Sequence, residues 1–267
     1  MKSVCIIIVN FEWFIDTMRV IDDLERIETY SNKEIVVIDN GSENDSKFNL
    51  FSALRKKKGI TFFSLERNLG LSNALNIGIS YALKNDFDYI LTLSSDLYFD
   101  KPFIKNLLDE LNDETICSTP NIINDDKTLV LLDIKRFSKN NLRKKYKEDL
   151  EKEMQEIIHR GSNVFVYRPH ISCMMLDASF FKNSSLFDQN VFLFYEALIL
   201  GERIFRENKK VLFIPSITLI HKDRNQIFLS MMDSVKSEIM ENSLSIYLRY
   251  RYGRMSGLIS MFDKNLR

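Results

Sequence analysis

The centre of the chain reads Tyr89-Ile90-Leu91-Thr92-Leu93-Ser94-Ser95-Asp96, a short apolar run that ends in an acid. Upstream, the apolar run Ile35-Val36-Val37-Ile38 ends in the same way, in Asp39-Asn40-Gly41-Ser42. Continuous apolar runs of this length are typical of strands that are buried on both faces of a sheet. Ligands of open α/β sheets bind at the carboxyl ends of the strands, so both acids should lie at a binding edge.

The first 120 residues alternate apolar runs with helical patterns, which predicts a parallel sheet covered by helices on both faces. We predict strands at residues 4–9, 34–39, 60–64 and 89–93, and helices at residues 15–27, 46–58, 70–84 and 103–111. Because strand–helix–strand crossovers are right-handed, Asn10, Asp39 and Asp96 should line one rim of this sheet.

The pattern changes after Pro120, where residues 124–160 are polar and charged. This insertion is either an exposed segment or a contact surface for an anionic partner, with a helix expected over residues 139–152. We predict short strands at residues 164–167, 173–176, 211–214 and 218–221, and a helix after a strand-like start within residues 192–208. From residue 228 onward, apolar positions at helical spacing predict a final amphipathic helix, with Met231, Val235, Ile239, Ile246 and Tyr250 on its stripe.

The composition is that of an ordinary globular protein: of 267 residues, 45% are hydrophobic and 28% are charged. The 37 basic and 37 acidic residues give a formal net charge of zero, so no global field favours nucleic acid as a partner. Cys5, Cys117 and Cys173 lie far apart in apolar stretches, which indicates buried, reduced thiols in a cytoplasmic protein. No apolar run is long enough to span a bilayer, although contact with a membrane surface stays open.

Two of the polar segments each allow a structural and a functional interpretation. Asp39-Asn40-Gly41-Ser42 is either a strand-ending turn or a turn in which Asp39 binds a nucleotide base or ribose. Small and amide residues recur over residues 68–78, at a helix start whose N–H groups favour phosphate or whose small side chains allow close packing on the sheet. This segment lacks the G-x-G-x-x-G spacing, which disfavours a dehydrogenase.

Taken together and in this order, the segments resemble those of the family 2 glycosyltransferases of the GT-A fold. The resembling segments are residues 8–11, 37–42, 68–78, 91–96 and 187–203, and His221. The resemblance extends from residue 4 to about residue 225 and is weakest in the charged insertion. It implies an α/β fold with a GT-A-like mixed, mostly parallel central sheet flanked by helices, with the charged helical insertion and the C-terminal amphipathic helix added.

The resemblance also implies which residues hold the donor. In that family the first strand and the Asp39-type residue hold the nucleotide base, so Asn10 and Asp39 are expected there. Asn68, Gly70 and Ser95 complete the expected donor-binding set.

A divalent metal, Mn²⁺ or Mg²⁺, is implied on the donor diphosphate. Asp96 matches the last acid of the family's D-x-D-like motif and is the expected main ligand. His221 matches a family residue that reaches the diphosphate or the metal, although a lone histidine is also a common structural residue. Ser94 stands where many relatives carry an acid or an amide, which is a departure from the motif.

The most consequential departure concerns the catalytic base. Relatives carry two adjacent acids where this chain reads Glu196-Ala197, and the second acid usually takes the acceptor proton. Either Glu196 serves as the base, or the base is missing, in nature or through deliberate replacement of an acid by Ala197. Arg203 either pairs with a phosphate or forms a salt bridge with Glu202.

The implied activity is inverting transfer of a hexosyl or deoxyhexosyl group from a UDP- or dTDP-linked sugar to a glycan or lipid-linked oligosaccharide. The implied setting is assembly of a bacterial surface polysaccharide at the inner face of the cell membrane. The alternative is a catalytically impaired subunit that binds a nucleotide sugar or serves as a scaffold. Residues 1–225 would form the transferase domain, with a nucleotide-sugar half (1–120) and an acceptor half (121–225), and residues 226–267 a helical extension.

Residues 247–254 mix aromatic and basic side chains at the end of the chain. Such a mixture suits a membrane interface or a lipid-diphosphate acceptor. It is equally typical of a packed terminal helix with solvated arginines.

Overall fold

The computed structural model describes residues 2–136, 144–183, 186–222 and 232–253. Nine strands in these ranges form one sheet: β1 Val4–Asn10, β2 Lys33–Asp39, β3 Ile60–Ser64, β4 Tyr89–Leu93, β5 Leu97–Tyr98, β6 Thr115–Asn124, β7 Val164–Val166, β8 Cys173–Asp177 and β9 Lys210–His221. The helices of the same ranges are α1 Phe14–Ile27, α2 Asn44–Leu54, α3 Leu71–Lys84, α4 Ile104–Asp109, α5 Lys144–Arg160, α6 Ala178–Asn183, α7 Glu196–Arg206 and α8 Asp233–Tyr252.

The sheet is mixed and has a parallel core. Its strand order is β3-β2-β1-β4-β8-β6-β9-β5, with β7 paired to β9. Strands β3, β2, β1 and β4 run parallel to one another, and β6 runs parallel to β9. Strand β8 is antiparallel to both β4 and β6 and so links the two parallel groups. The expected α/β fold with a mixed, mostly parallel central sheet flanked by helices is confirmed.

Helices cover both faces of the sheet because alternate residues of the strands point to opposite faces. Ile6 and Ile8 of β1 pack in the core cluster that holds α1, α2 and α4. Cys5 and Ile7 pack in the second cluster, with α3, α5, α6 and α7. A Cβ added to Gly78 of α3 would lie 2.6 Å from the Ile7 side chain, so this glycine allows the close helix–sheet packing considered for residues 68–78.

The last described helix, α8, packs on α7 rather than on the sheet. Leu244, Tyr247 and Leu248 of α8 form a small buried cluster with Ile199 of α7. Tyr247 is fully buried, and Tyr250 Oη donates to Asp188, so both tyrosines serve packing here. No helix of the described ranges is both long and apolar enough to cross a bilayer.

Several sequence predictions in the second half of the chain are wrong. Residues 115–124 form strand β6, which was not predicted, and residues 210–221 form the single strand β9 where two were expected. The strand-like start expected from residue 192 is not found, since the described residues 192–195 form no strand and α7 begins at Glu196. The insertion helix runs over Lys144–Arg160, later than expected, and residues 139–143 of the predicted helix lie outside the described residues. Helix α8 exists, but its first half is not a buried stripe, since Val235 is 39% exposed. Met231 lies outside the described residues, and the division of the chain at residue 225 stays a prediction.

Candidate active site

The predicted site residues of the first half meet at the carboxyl-end edge of the parallel strands. Asn10 and Asp39 end β1 and β2 and are direct partners in the β1–β2 register. Asp96 follows β4, which pairs with β1 on its other side. Neighbouring strands lie about 4.8 Å apart, so the ends of β2 and β4 are separated by about 10 Å, with Asn10 between them.

Asp39 is the hub of a buried hydrogen-bond network. Its Oδ1 accepts from Asn10 Nδ2 at 2.7 Å and from Ser42 Oγ at 2.6 Å, and its Oδ2 accepts from Ser42 N at 3.3 Å. Asn10 Oδ1 in turn accepts from Thr17 Oγ1 of α1 at 2.7 Å. The Asp39 side chain is fully buried, so these bonds fix the turn after β2 and leave the carboxylate shielded from solvent.

A second amide pair ties this turn to the segment before α3. Asn40 Nδ2 donates to Asn68 Oδ1 at 3.0 Å, and Leu69 N donates back to Asn40 Oδ1 at 3.0 Å. Asn68 Oδ1 also accepts from Gly70 N at 2.9 Å. A Cβ on Gly41 would overlap the backbone of Arg67, so glycine is required at this contact. The predicted donor residues Asn68 and Gly70 therefore join the Asn10–Asp39 network through Asn40.

The start of α3 is fastened to the loop that precedes α7. Leu71 N donates to Phe192 O at 2.8 Å, and a Cβ on Gly70, whose φ is +83°, would overlap Phe192 O. Further along α3, the Asn76 side chain makes two 2.9 Å bonds with the backbone of Phe187. These bonds attach α3 to the segment of residues 187–192, which leads into Glu196, the first residue of α7.

Glu196 is buried at the N-terminus of α7, and within the described part of the chain its Oε1 has no hydrogen-bond partner. Burial raises the pKa of Glu196 to about 7, although the backbone N–H groups of Glu196 and Phe194 act to lower it. Phe194 and Tyr195 before it have φ of +69° and +65°. Such strain costs about 1–3 kcal/mol per residue and is concentrated at functional sites. A carboxylate with one oxygen free of hydrogen bonds and a pKa near neutrality suits a general base. Its neighbour Ala197 is buried and offers no second acid.

Asp96 and His221 form the polar centre on the other side of this edge. His221 Nε2 lies 3.0 Å from Asp96 Oδ2, and Ser94 Oγ donates to Asp96 Oδ1 at 2.6 Å. The strand pair β5–β9 brings them together, since Leu97 pairs with His221. Burial raises the pKa of Asp96, but the hydrogen bond and charge of His221 and the bond from Ser94 outweigh it and leave the pKa below its usual value.

Arg19 of α1 clamps the segment that carries Asp96. Its guanidinium donates to Ser95 O at 2.5 Å and to Leu97 O at 2.9 Å, and it lies 3.6 Å from the ring centre of Tyr98. The predicted donor residue Ser95 thus has its carbonyl engaged by Arg19. Sequence reasoning missed Arg19, because nothing in the local sequence of α1 marks it as facing the Ser95 segment.

The side chains of Asp96 and His221 suit a divalent cation that a phosphate of the ligand also binds. In the ranges that the structure describes, no three His, Cys, Asp or Glu side chains are grouped as a metal site. Asp96 and His221 place two potential metal ligands, an oxygen and a nitrogen, 3.0 Å apart. Magnesium is usually held by one or two carboxylates together with substrate phosphates rather than by an all-protein cage. The residues therefore fit a cation held jointly with a diphosphate.

The interpretation of Arg203 as a partner of Glu202 is wrong. Arg203 donates to Leu186 O at 2.8 Å and its guanidinium lies 5.4 Å from the ring centre of Phe180. Glu202 instead accepts from Arg136 and Arg206. Sequence reasoning also missed the role of Asn40, which lies in the turn after β2 and bonds to Asn68.

Two solved structures share this architecture. The chain superposes on GalNAc-T7, crystallised with UDP, GalNAc and Mn²⁺, with a TM-score of 0.63 and 18% identity, over 99% of this chain and 54% of that chain. It superposes on residues 1–349 of Staphylococcus aureus TarS, in complex with UDP, with a TM-score of 0.60 and 13% identity, over 93% of this chain and 66% of that one. At these identities the likeness shows the fold.

Curated relatives match a shorter part of the chain. A poly-beta-1,6-N-acetyl-D-glucosamine synthase of Staphylococcus aureus strain COL is 35% identical over 72 residues, 27% of this chain and 16% of the synthase. The synthase of Staphylococcus epidermidis is 34% identical over 85 residues, 32% of this chain and 19% of that protein. The chain thus aligns with less than a fifth of the length of these relatives.

The family-level comparison covers far more of the chain. The sequence pattern described as "Glycosyl transferase family 2" matches residues 3–173, which include β1 to β4, the turn after β2, the start of α3 and Asp96. This match spans more than half of the chain, and the sheet edge it contains carries the polar network described above. The chain belongs to glycosyl transferase family 2.

Proposed function

We propose that this protein transfers a hexosyl or deoxyhexosyl group from a nucleoside-diphosphate sugar to a hydroxyl of a glycan or lipid-linked acceptor, with inversion at the anomeric carbon. The observation that carries the proposal is one sheet edge with two polar centres. The Asp96–His221 pair lies at one. At the other, Leu71 N at the start of α3 donates to Phe192 O in the loop that leads to Glu196, and the buried Glu196 carboxylate has one oxygen, Oε1, without a hydrogen-bond partner among the described residues.

The donor nucleotide would lie along the ends of β1 and β2. Asn10 and Asp39 would face its base or ribose, which requires the shielded Asp39 carboxylate to exchange a bond to Ser42 for one to the ligand. Asn68, Gly70 and Ser95 would line the path of the diphosphate. UDP is the favoured nucleotide because it is the one bound in the GalNAc-T7 and TarS structures, and dTDP is the other candidate.

Glu196 would act as the general base. It accepts the proton of the acceptor hydroxyl while the hydroxyl oxygen bonds to the anomeric carbon. The bond from that carbon to the phosphate oxygen breaks, and the nucleoside diphosphate leaves on the opposite face. A positioned base contributes about 10²–10⁴-fold to such a step.

Asp96 and His221 would hold Mn²⁺ or Mg²⁺, whose charge when bound offsets the charge on the departing diphosphate. Ser94 orients Asp96 through its hydroxyl, and Arg19 fixes the backbone on both sides of Asp96. The presence of Mn²⁺ in the GalNAc-T7 structure supports a metal role in this fold.

The curated relatives are synthases of a polysaccharide, which supports a role in surface-polysaccharide assembly. We place the reaction in the cytoplasm because all three cysteines are free and buried, which suits a reducing compartment. Residues 247–254, which mix aromatic and basic side chains, would contact the inner face of the membrane. Flotation with anionic vesicles tests it, and protein that stays with the unbound fraction would contradict it.

The transfer activity is tested by incubating the protein with UDP-sugars, Mn²⁺ and a glycan acceptor and measuring UDP release and product. Asp96→Asn should reduce turnover by at least about a hundredfold, since removal of a group that stabilises developing charge has that effect. Asp100→Asn, an exposed acid four residues later, is the matched control. Full activity of Asp96→Asn would contradict the metal role.

Ala197 favours one second candidate, a subunit that binds a nucleotide sugar without turning it over. Calorimetry separates the two proposals. Binding of a UDP-sugar with no turnover, in the natural sequence and in Ala197→Glu, would support the binding subunit.

A further inference from the structure

A small cavity is lined by Ser94, directly after β4, and by Leu71, at the start of α3. It has a volume of about 120 Å³. An apolar cavity of about 150 Å³ admits benzene, so this one has room for a group of about four to six non-hydrogen atoms. A nucleotide or a complete hexose is too large for it.

The position of the cavity relates it to the reacting atoms. Ser94, which lines it, donates to Asp96, and Leu71, which also lines it, donates its N–H to Phe192 in the loop before Glu196. If Asp96 is at the leaving diphosphate and Glu196 at the acceptor hydroxyl, the donor sugar ring lies over the cavity mouth. The inference rests on the proposed function in this respect.

The walls of the cavity are mainly apolar. Six aliphatic side chains contribute to them: Ile7, Val9, Leu71, Leu75, Leu93 and Ile171. Three hydroxyl side chains line the cavity: Thr92 donates to Ile171 O at 3.3 Å, Ser94 donates to Asp96, and Ser172 is the third. The cavity therefore offers at most one hydroxyl that is not already donating, against six aliphatic side chains. A sugar hydroxyl that entered would lose hydrogen bonds to water without equal replacement, whereas a methyl group would gain from leaving water.

We propose that this cavity receives a methyl-bearing substituent of the donor sugar and selects donors that carry one. The methyl group can come from an acetamido group at C2 or from C6 of a 6-deoxy sugar. In both cases the same apolar walls recognise it, with Leu75 and Ile171 as the specificity-determining residues.

The experiment compares three donors that differ at one position: UDP-glucose, UDP-N-acetylglucosamine and UDP-6-deoxyglucose, each with its galacto counterpart. Both UDP release and binding by calorimetry are measured with Mn²⁺. We expect kcat/KM for one methyl-bearing donor to exceed that of its parent hexose by at least about tenfold, the usual range for one buried apolar group. Preference for the acetamido or the 6-deoxy donor identifies the source of the methyl group. Equal or better use of the parent hexoses would overturn the inference while the transferase proposal stands. Absence of binding and turnover with all these donors and with their dTDP-linked counterparts would overturn both.

Three variants test the residues themselves, and one of them, Leu75→Met, is the control. Leu75→Phe should fill the cavity and abolish the preference for the methyl-bearing donor, while Leu75→Met, of similar volume, keeps it. Ile171→Thr should shift the preference toward the parent hexose and does not depend on accommodating a larger side chain. UDP affinity should be unchanged in all three, because the nucleotide lies at the ends of β1 and β2. Retention of the full preference by both Leu75→Phe and Ile171→Thr would overturn the assignment of these residues.

Discussion

His221 Nε2 lies 3.0 Å from Asp96 Oδ2, and the pairing of β5 with β9 places the two residues together. The loop after β4 and the end of β9 thus contribute one potential metal ligand each, Asp96 and His221, to the same part of the site. Each of them should affect metal use without affecting the other parts of the site.

His221→Ala should raise the Mn²⁺ concentration needed for half-maximal activity by at least about tenfold, since loss of a residue that supports a metal site has this effect. The measurement is a metal titration of UDP release. His159→Ala, an exposed histidine in the last turn of α5, is the control. An unchanged titration curve for His221→Ala would assign His221 a purely structural role.

Glu196→Gln should lower turnover by about 10²–10⁴-fold with little change in UDP binding. In the natural sequence, kcat/KM should rise with pH and level off above about pH 7, because the base must be deprotonated and its pKa is about 7. Glu207→Gln, exposed at the end of the same helix, is the control. A flat profile between pH 5 and 8 would contradict the role of Glu196 as the base.

The same substitution should stabilise the protein above neutral pH. The folded protein holds the Glu196 proton with a pKa of about 7, against an ordinary value of 4.5. The contribution of Glu196 to the free energy of unfolding is therefore greatest below about pH 4.5. As the pH rises from 4.5 to 7, this free energy falls by at most about 3 kcal/mol. Thermal unfolding at pH 8 should give a higher Tm for Glu196→Gln than for the natural sequence. The gain in Tm of Glu196→Gln over the unaltered protein should be larger at pH 8 than at pH 5. An equal or smaller gain at pH 8 would show that this carboxylate is not desolvated.

Ala197→Glu tests whether a second acid is missing. If Glu196 is sufficient, the variant should gain nothing and lose some stability, because Ala197 is buried and a new carboxylate there has to be desolvated. UDP release and Tm are the measurements. A rise in turnover by about tenfold or more would show that the base position is incomplete in this sequence.

Arg19→Met should weaken metal activation by about tenfold, because the guanidinium fixes the two carbonyls on either side of Asp96. A merely structural role would lower Tm without moving the metal titration curve. Arg26→Met, on the same helix and 71% exposed, is the matched control. Arg19→Lys should recover only part of the effect, since an ammonium lacks the planar fork that reaches two carbonyls.

Gly70→Ala should destabilise the protein by about 2–4 kcal/mol and reduce donor turnover as well, because a Cβ would overlap Phe192 O at a residue with φ of +83°. Gly59 has a similar φ of +70°, and no atom of the described residues lies within 4 Å of the Cβ that Gly59→Ala would add. This variant therefore isolates the cost of backbone strain. Urea unfolding of both variants measures the difference. Equal loss in the two would mean that the Phe192 contact contributes nothing.

The first half of the fold could be predicted because β1, β2 and β4 are largely buried on both faces, and the half-buried edge strand β3 is a short apolar run as well. The four apolar runs of β1 to β4 predict strands without reference to anything distant. Strand β6 was missed because it contains Pro120 and several polar residues. The buried hydroxyls of Ser118 and Thr119 are tolerated because each donates to a backbone carbonyl oxygen. Pro120 is tolerated where the β6–β9 register shifts between Pro120 and Asn121. The same shift joins residues 211–214 and 218–221 into one strand across Pro215.

The placement of Asn10, Asp39 and Asp96 at one sheet edge was predictable, because Asn10 and Asp39 end their strands and Asp96 lies three residues after β4. The contacts between them were not, because they depend on pairing between distant segments. The bonds of Asn40 with Asn68 and of Leu71 with Phe192 join turns that carry no mutual signal in the sequence. The enclosure of Asp39 likewise follows from Ser42 folding back on it.

The close approach of Gly70 to Phe192 also governs how the chain can be recombined with its relatives. Since backbone meets backbone there, a chimera that exchanged residues 1–120 alone would set a foreign turn against the native loop before α7. Residues 68–71 and 187–196 must be inherited together, as one module that is split in the sequence.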